Sequence, residues 1–386
     1  MTPIRHFVSH HNLDRDAVVA LEIEMRRRGL ASWRDRKDQH RGVKTDLAVL
    51  RAIEVETDGF VIYGSPKILG SDYVWNHEWP PAFLRNQGEC DRDHPFPYPL
   101  TPLFVRGVKP EDLKKAATEH GRPAPAKFNG ERLEEGDGAS RRTVANHLLR
   151  TALKRRTAEL DGPLRLHLNT FVAPDGLDTD ILVDWADEFA PGAEPPWDDL
   201  LAARDDLKTE IARTGRALEM TVQSRLGPAF AFGHAFPVAA KIRLRVGGDG
   251  WALGAREDPV LVTAQDVSDA VGDPQVAVVE ASLTRKVNVA AEWTVAALGL
   301  RPSRILRLDY GPGIEAVDAA VAAAASAAFG RRLRMLRDDG ITEAHIFLAG
   351  PAPLALLLGA SVNAGPAMTL YHSSDGHYVR SVRLGA

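Results

Sequence analysis

Two segments in the second half of the chain match each other at a constant spacing, and this repeat constrains the fold more than any other feature. Residues 220–252 align without a gap with residues 346–378, so that Gly233 pairs with Gly359. Each segment predicts a strand, a small-residue turn, an apolar helix, a second strand and a hairpin at an Asp-Gly pair. The shared order of elements indicates a duplication.

Each segment is also preceded by a predicted strand, Leu164–Phe171 for the first and Val276–Leu283 for the second. Two α/β units related by a pseudo-two-fold axis would place equivalent strand ends around one shared crevice. A crevice built in this way suits a ligand larger than a mononucleotide.

The first hundred residues alternate between short apolar runs and amphipathic segments. The runs Ile4–Val8, Leu30–Trp33 and Phe60–Tyr63 predict strands, and the segments Ala17–Arg28 and Thr45–Val55 predict helices. This β-α-β-α-β alternation predicts a parallel, doubly wound sheet. The buried stripe of the second helix is predicted to be Leu47, Leu50 and Ile53.

The stretch from Phe60 to Trp79 contains a candidate active-site residue. Its apolar run breaks at Gly64-Ser65-Pro66 and then resumes as a helical segment that carries Glu78. Ligands of open α/β sheets bind at the carboxyl ends of the strands. An acidic side chain on the segment after this turn can therefore reach the rim of the crevice.

The length of 386 residues exceeds that of one ordinary core, so two or three domains are expected. Residues 121–140 are rich in Pro, Gly, Lys and Glu and lack periodicity, which is typical of a linker. We therefore predict an N-terminal domain over 1–120 and a C-terminal domain over 141–386. The alternative is that 121–140 is a long surface loop.

The net charge of −4 gives no general attraction to DNA or to an anionic membrane. The single cysteine, Cys90, excludes an internal disulfide and fits a reducing cytoplasm. Residues 346–374 carry no charged side chain, but glycines and prolines interrupt them, so no membrane span is predicted. No zinc-ligand spacing is found among the histidines considered, which are His10, His11, His40, His77 and His94.

Ordered landmarks in the first 120 residues resemble those of Toll/interleukin-1 receptor (TIR) domains. They are FVSHH at 7–11, the helix at Asp16, Trp33 with Asp35, the Gly42 loop and FVIYGSP at 60–66. The resemblance implies a flavodoxin-like parallel sheet. Prokaryotic TIR domains are often enzymes that cleave NAD⁺ at the nicotinamide–ribose bond, with a glutamate on the helix after the Ser-Pro turn. By this resemblance Glu78 is catalytic, and NAD⁺ is a substrate rather than a cofactor.

The chemistry supports a single carboxylate. Cleavage of this C–N bond passes through an oxocarbenium-like state, which a nearby carboxylate stabilises, and nicotinamide leaves as a neutral molecule without a general acid. The sequence departs from the family pattern at one point. When that pattern is aligned from Ser71, its acidic position falls on His77, one residue before Glu78. Either the turn absorbs one extra residue or the site is altered.

The resemblance also suggests residues that line the NAD⁺ site, namely Ser9, Trp33, Arg34 and Asp35. The first three have an alternative interpretation that the sequence leaves open. Ser9 also fits a helix cap or turn, Trp33 fits core packing, and Arg34 fits a solvated loop. Residues 34–44 resemble the BB loop, through which TIR domains contact one another.

The second half resembles the SAVED domain, a fusion of two CARF-like α/β units that senses cyclic oligonucleotides in the bacterial antiphage systems called CBASS. The residues that carry this resemblance are GPAFAFGHAF at 227–236, VVEASLTRKVN at 278–288, HIFLAGPAPLALLLG at 345–359 and TLYHSSDGHY at 369–378. In that family a partner synthase makes the cyclic nucleotide, and head-to-tail oligomers or filaments form on binding. The resemblance favours cyclic tri-adenylate as the activator.

Candidate ligand contacts lie at the predicted strand ends. Hydroxyls and charges suit phosphates, glycine and proline allow close backbone approach, and aromatic rings can stack on bases. The alternatives are that the tyrosines only cover a sheet edge and that Arg285 is solvated. The candidates are Ser282, Thr284, Arg285, Lys286, Gly350, Pro351, Tyr371, His372 and Tyr378.

The sequence therefore predicts an antiphage effector that binds a cyclic oligonucleotide, oligomerises and hydrolyses NAD⁺ to nicotinamide and ADP-ribose products. A non-enzymatic TIR signalling adaptor, gated by the same ligand, is the alternative. An oligonucleotide-binding nuclease is disfavoured because the chain lacks carboxylates clustered at metal-binding spacing.

Overall fold

The computed structural model describes residues 2–33, 45–92, 94–126, 128–172, 176–237, 244–246, 251–252, 262–268, 272–282, 287–310, 319–374 and 377–385. The chain divides into two compact units. The first comprises Met1–Leu164, Pro174–Trp185 and Ala202–Arg216, and the second comprises Arg165–Ala173, Ala186–Leu201 and Ala217–Ala386.

The first unit contains a parallel five-stranded sheet, which confirms the α/β alternation predicted for this region. The strands are β1 (Arg5–Ser9), β2 (Ala31–Trp33), β3 (Gly59–Gly64), β4 (Leu100–Phe104) and β5 (Glu131–Arg132), in the order β2-β1-β3-β4-β5. This is one of the two common doubly wound strand orders, and its direction of winding reverses between β1 and β3. The carboxyl ends of those two strands therefore form the expected ligand crevice.

The helices of the first unit separate these strands in the sequence. They are α1 (Arg15–Arg27), α2 (Thr45–Arg51), α3 (Trp79–Cys90), α4 (Pro110–Glu119) and α5 (Gly138–Glu159). Two five-residue π-helical turns, Ala52–Glu56 and Val74–Glu78, adjoin α2 and α3. The prediction for the second helix was wrong at Leu47 and Leu50, which are 58% and 37% exposed, because Val49, Ala52 and Ile53 face the core instead.

The division into units differs from the predicted one at residues 121–140. Glu131–Arg132 pairs in parallel with β4, and Phe128 and Leu133 are buried. Helix α5, most of which falls in the predicted C-terminal domain, lies in the first unit, where Asn146 accepts a hydrogen bond of 2.8 Å from Nε of Arg28. This segment lacks periodicity because a two-residue strand and its loops are too short to show one.

The second unit has the two equivalent α/β parts that the repeat predicts. In the first part, β6 (Leu164–Asn169) lies beside β8 (Leu218–Gln223), which pairs in parallel with β9 (Leu244–Val246), itself antiparallel to β10 (Trp251–Ala252). β7 (Ile181–Asp184) lies in the first unit, and α6 (Trp197–Thr214) runs from the second unit into the first. Helix α7 (Leu226–Ala235) follows β8.

The second part repeats this order. β12 (Asp273–Ser282) lies beside β14 (Glu343–Ala349), which pairs in parallel with β15 (Ala367–Ser374), itself antiparallel to β16 (His377–Leu384). Helix α10 (Ala352–Ser361) follows β14 and lies 126 positions after α7 at both ends. β11 (Val262–Ser268) and β13 (Pro302–Tyr310) extend the sheet beyond β12, and α8 (Asn288–Ala297) and α9 (Ala319–Asp338) complete this part.

Helices α7 and α10 pack against each other through the paired glycines. A Cβ on Gly233 would lie 1.8 Å from the carbonyl oxygen of Leu356, and a Cβ on Gly359 would lie 2.1 Å from that of Phe230. Phe230 and Leu356 are themselves partners in the repeat alignment, so the two contacts are related by the pseudo-two-fold axis. The duplication predicted from the sequence is therefore confirmed at the level of single contacts. No helix in the described part of the chain has the length and hydrophobicity needed to span a bilayer.

Candidate functional site

The first candidate site lies where the winding of the first unit's sheet reverses. Ser9 is the last residue of β1, and its hydroxyl donates a hydrogen bond of 2.5 Å to Oε2 of Glu78. Both side chains are buried, with 1% of Ser9 and 6% of Glu78 exposed. The structure thus brings together two residues that the sequence analysis selected separately.

The backbone at Glu78 explains how the extra residue before it is accommodated. Glu78 is the last residue of the π-helical turn Val74–Glu78, which leads directly into α3. A π turn bonds residue i to residue i+5 and so holds one residue more than an α-helical turn. Here the N–H of Trp79 donates to the carbonyl oxygen of Val74, five residues earlier. The turn therefore holds one residue more before Glu78 than an α-helical turn would.

His77, at the acid position of the family pattern, faces a different environment. Its side chain is 46% exposed, its Nδ1 lies 3.8 Å from Oδ1 of Asp46, and its ring stacks on Tyr73 with centroids 5.0 Å apart. Trp75 and Trp79 are fully buried on the core side of the turn and make an edge-to-face contact at 5.8 Å. These two anchors fix the rotation of the turn, so that Glu78 and not His77 reaches Ser9.

A second polar cluster ties the end of β3 to the start of α1. The hydroxyl of Ser65 and NH1 of Arg106 donate to the buried carboxylate of Asp14 at 2.5 and 2.7 Å. Arg106 also donates to Glu135, which accepts a hydrogen bond of 2.6 Å from the hydroxyl of Tyr63. Burial and this hydrogen bond raise the pKa of Tyr63 well above its usual range, which keeps the hydroxyl protonated as a donor. The cluster holds the crevice floor in place.

Of the remaining predicted NAD⁺ contacts, Trp33 lies among the described residues and is not brought to this crevice. Trp33 is 2% exposed and stacks on Phe7 with centroids 4.8 Å apart, so its ring is part of the core. The interpretation of Trp33 as a substrate contact is therefore replaced by core packing, the alternative that the sequence left open. Arg34 and Asp35, and the BB loop predicted at 34–44, lie outside the described residues.

The second candidate site follows the carboxyl edge of the second unit's parallel strands. Ser282 ends β12 and is opposite Ala349, the last residue of β14, so Gly350 lies next to it along the edge. Ser282 is 5% exposed, and its hydroxyl accepts a hydrogen bond of 3.2 Å from the N–H of Val287. Pro351 caps α10 in an extended conformation. Three other predicted contacts lie outside the described residues, namely Thr284, Arg285 and Lys286.

The two tyrosines predicted to stack on bases are packed into the protein instead. Tyr371 is 4% exposed and stacks on Phe347 at 4.6 Å, and its hydroxyl lies 2.8 Å from Nδ1 of His345. Tyr378 is 7% exposed, meets Phe347 edge-on at 5.1 Å and donates to the carbonyl oxygen of Leu348. Their rings therefore stabilise the sheet face, which corrects the predicted stacking role.

Sequence reasoning missed a cationic and aromatic group at the carboxyl ends of β6 and β8, in the other sheet of the second unit. Arg225 caps α7, its guanidinium lies 5.6 Å from the ring centre of Phe171, and its Nε is buried without a hydrogen-bond partner in the described residues. Phe171 follows β6 and is 44% exposed. Burial and the charge of Arg225 lower the pKa of His372, a predicted contact on β15. The repeat pairs Arg225 with Pro351, and this pairing was the signal that could have found it.

The fold and the two sites define a two-unit α/β protein, in which a parallel doubly wound unit with a buried Ser–Glu pair is followed by a duplicated α/β unit. Residues 203–384 match the family model of SAVED, the SMODS-associated and fused to various effectors sensor domain. This part of the chain is therefore a SAVED domain. A comparison with curated proteins found no match.

Several solved structures resemble the whole chain at low identity. The Cap4 SAVED/CARF-domain containing receptor of Acinetobacter baumannii with the cyclic trinucleotide 3'3'3'-cAAA has 13% identity and a TM-score of 0.49, covering 96% of this chain and 97% of that chain. The same receptor with 2'3'3'-cAAA has 12% identity and a TM-score of 0.48 with the same coverage. The Cap4 receptor of Moraxella osloensis has 14% identity and a TM-score of 0.46, covering 96% of this chain and 98% of that chain.

Proposed function

We propose that the protein is an antiphage effector in which a cyclic oligonucleotide, bound by the SAVED domain, activates NAD⁺ cleavage by the first unit, a TIR domain. The observation that carries the proposal is the hydrogen bond between Ser9 and Glu78 at the point where the parallel sheet reverses its winding. A carboxylate there is supported by the fold and by the TIR resemblance of FVSHH and FVIYGSP.

In the proposed reaction the C–N bond between ribose and nicotinamide breaks, and its electron pair leaves with nicotinamide. The carboxylate of Glu78 stabilises the positive charge that develops on the ribose, and water then attacks the anomeric carbon. Burial strengthens this interaction, because a charge is screened less in a low-dielectric site than in water. The hydroxyl of Ser9 orients the carboxylate by donating to it.

The burial of Glu78 also supports activation by assembly. Because only 6% of this residue is exposed, NAD⁺ reaches the carboxylate only after the edge of the crevice opens. Contacts between neighbouring copies can supply that change, since the proposed function includes head-to-tail self-association. Head-to-tail contacts that do not close into a ring give open filaments.

At the SAVED domain, the proposed ligand is a cyclic oligonucleotide made by a partner synthase, with cyclic tri-adenylate as the first candidate. Arg225 supplies a guanidinium for a phosphate, and Phe171, whose ring centre lies 5.6 Å from that guanidinium, supplies a half-exposed ring for a base. Ser282 and the backbone at Gly350 lie along the same strand edge as His372. Together, the guanidinium of Arg225 and the aromatic ring of Phe171 suit a cyclic oligonucleotide, because its phosphodiesters are anionic and its bases can stack.

The test measures nicotinamide release from NAD⁺ with and without cyclic tri-adenylate. We expect release to depend on the ligand and to fall by at least about 100-fold in Glu78→Gln, as is typical when a charge that stabilises the transition state is lost. Gln retains an oxygen that can accept from Ser9, so the variant removes charge with little change in shape. Glu119→Gln on α4 is the matched control, because Glu119 is an exposed carboxylate of the same unit.

Two results would contradict the proposal. If no cyclic oligonucleotide elicits release while the ligand still binds, the non-enzymatic adaptor is favoured. If Glu78→Gln retains full release, the catalytic assignment fails although the activity stands.

A double variant tests whether position 77 or position 78 must carry the carboxylate. His77→Glu combined with Glu78→Gln restores a carboxylate at the position given by the family pattern. Because the side chain at 77 faces Asp46 and solvent, we expect this double variant to remain as inactive as Glu78→Gln. Recovered release would mean that the π turn does not set the position of the acid.

A further inference from the structure

A pocket in the first unit is not used by the proposed function. It lies between α5 and the carboxyl-terminal part of α6 and has a volume of about 500 Å³. Phe96 forms one wall, and the charged residues that line it are Arg150, Lys154, Glu210, Arg213 and Arg216. We refer to it as the α5–α6 pocket.

The α5–α6 pocket is strongly cationic in a protein whose net charge is −4. Four basic side chains and one carboxylate line it, which gives 4 − 1, a local excess of three positive charges. Arg150 and Lys154 lie one helical turn apart on α5 and therefore project from the same face. An excess of this size within one cavity attracts a small anion much more strongly than scattered surface charges do.

Glu210 does not neutralise the pocket, because its carboxylate is already shared. Nε and NH2 of Arg150 donate to it at 3.1 and 2.9 Å, and NH1 of Arg213 also donates to it. Burial raises the pKa of Glu210, but the hydrogen bonds from the two arginines outweigh burial and hold the pKa below its ordinary value. Glu210 is therefore ionised and serves to fix the two guanidinium groups.

The other two cations are available to a ligand. Lys154 is exposed and makes no ion pair among the described residues. The guanidinium of Arg216 donates a hydrogen bond of 2.8 Å, from NH2 to the backbone oxygen of Thr157. A guanidinium has five N–H donors, so Arg216 retains donors that can point at an anion.

The pocket is too large and too apolar on one side for inorganic phosphate alone. Its volume of about 500 Å³ falls within the 300–1,000 Å³ range of small-molecule sites. The ring of Phe96 is 41% exposed, and Leu153 and Ala158 complete the apolar lining. A planar group can lie on this ring while a phosphate meets the cations.

We propose that the α5–α6 pocket binds a small organic phosphate the size of a nucleoside diphosphate, with its phosphates on Lys154 and Arg216 and its ring on Phe96. This goes beyond the proposed function, because the site is separate from both the Ser9–Glu78 pair and the SAVED strand edge. It gives the first unit a second ligand site in addition to the proposed NAD⁺ site.

The test is calorimetric titration of the full chain with ADP, pyrophosphate and adenosine. The Arg225→Ala background is used so that the SAVED edge contributes little to the signal. We expect ADP to bind more tightly than either pyrophosphate or adenosine, since each lacks one half of the recognised group. Higher ionic strength should weaken binding of ADP, because the contacts are partly exposed and are screened by salt.

Lys154→Ala should weaken ADP binding about tenfold, as expected for one charge-assisted contact. Phe96→Leu should weaken it about fivefold while leaving pyrophosphate unaffected, because only the ring contact is lost. Lys114→Ala is the matched control, an exposed lysine on α4 outside the pocket, and should bind ADP like the parent protein.

The proposal is overturned if none of the three probes binds, or if Lys154→Ala and Lys114→Ala bind ADP equally well. It is also overturned if pyrophosphate binds as tightly as ADP and Phe96→Leu has no effect, because the ligand would then be recognised by charge alone. Thermal unfolding of each variant is measured in parallel, and Phe96→Tyr, which retains an aromatic ring, should restore binding if Phe96→Leu acts through the ring.

Discussion

The two copies of the repeat in the SAVED domain agree in one place and differ in another. Where α7 crosses α10, Gly233 and Gly359 make reciprocal contacts with the backbone of the other helix. Where the two helices begin, the copies differ, because Arg225 caps α7 and Pro351 caps α10. The helix crossing is symmetric, and the rim at the strand ends is not.

This difference between the helix crossing and the rim indicates that the matching residues serve packing and the differing residues serve ligand recognition. A close helix crossing needs glycine on both sides, so both copies must retain it if either is to pack. The rim carries no such requirement, and one copy has a guanidinium with a buried Nε where the other has a ring that lacks an N–H. Residues that match across the repeat should therefore govern stability, and residues that differ should govern ligand binding.

The largest expected effect is at the crossing. Gly233→Ala places a Cβ 1.8 Å from the carbonyl oxygen of Leu356, and Gly359→Ala places one 2.1 Å from that of Phe230. Backbone atoms cannot rotate away, so the helices must separate, and we expect each variant to lose about 3 kcal/mol or more of unfolding free energy. Chemical denaturation followed by circular dichroism measures this loss.

The control for the crossing is Gly88→Ala. Gly88 lies on α3 with no atom within 4 Å of the added Cβ, so this variant should be stabilised by about 0.5–1 kcal/mol. If Gly233→Ala and Gly359→Ala behave like Gly88→Ala, or differ widely from each other, the crossing is not symmetric in solution.

The second largest expected effect is on ligand binding at the rim, where the two copies differ. Arg225→Ala removes the guanidinium near Phe171 and should weaken binding of cyclic tri-adenylate by about 1.5–3 kcal/mol, as for the loss of a charged hydrogen bond. Titration calorimetry measures the affinity. The matched change in the other copy, Pro351→Ala, removes no charge and should have a smaller effect. Equal losses in the two variants would mean that the asymmetry of the rim has no part in recognition.

The same contrast explains what the sequence could and could not predict. The repeat offset and the order of strands and helices follow from apolar periodicity and turn residues, and the choice of Ser9 and Glu78 follows from the resemblance to TIR domains. These signals are repeated along the chain and are read without knowledge of tertiary contacts. They were sufficient for the parallel sheet and for the duplicated unit.

Features set by tertiary contacts could not be predicted. The π turns at 52–56 and 74–78 carry no composition signal, and the exposure of Leu47 and Leu50 depends on which face of α2 meets the core. The strand Glu131–Arg132 is too short to show an alternation of apolar and polar residues, so the residues around it were interpreted as a linker. An aromatic residue near a strand end fits either packing or ligand stacking, and only burial decided that Tyr371 packs.

A third prediction tests whether Tyr371 serves packing alone. Tyr371→Phe retains the ring on Phe347 but removes the hydroxyl that lies 2.8 Å from Nδ1 of His345. We expect a loss of about 1 kcal/mol in unfolding free energy, the usual value of one hydrogen bond. The affinity for cyclic tri-adenylate should not change. A variant that binds the ligand several-fold more weakly at unchanged stability would return Tyr371 to the binding edge.

The smallest expected effect concerns His372 and pH. In the free protein, burial and the charge of Arg225 lower the pKa of His372 below its ordinary value of 6.5, so the ring is neutral at pH 7. A bound phosphate offsets the charge of Arg225 and attracts the protonated ring, which raises that pKa, so that binding takes up a proton over the range in which the ring titrates. Affinity for cyclic tri-adenylate should therefore increase as pH falls through this range, by less than about tenfold.

The phosphodiesters of the ligand do not titrate here, and His372→Asn should remove the pH dependence while keeping a polar side chain. An affinity that is flat or falls with decreasing pH in the parent protein would place His372 away from the phosphates and limit the asymmetric rim to Arg225 and Phe171.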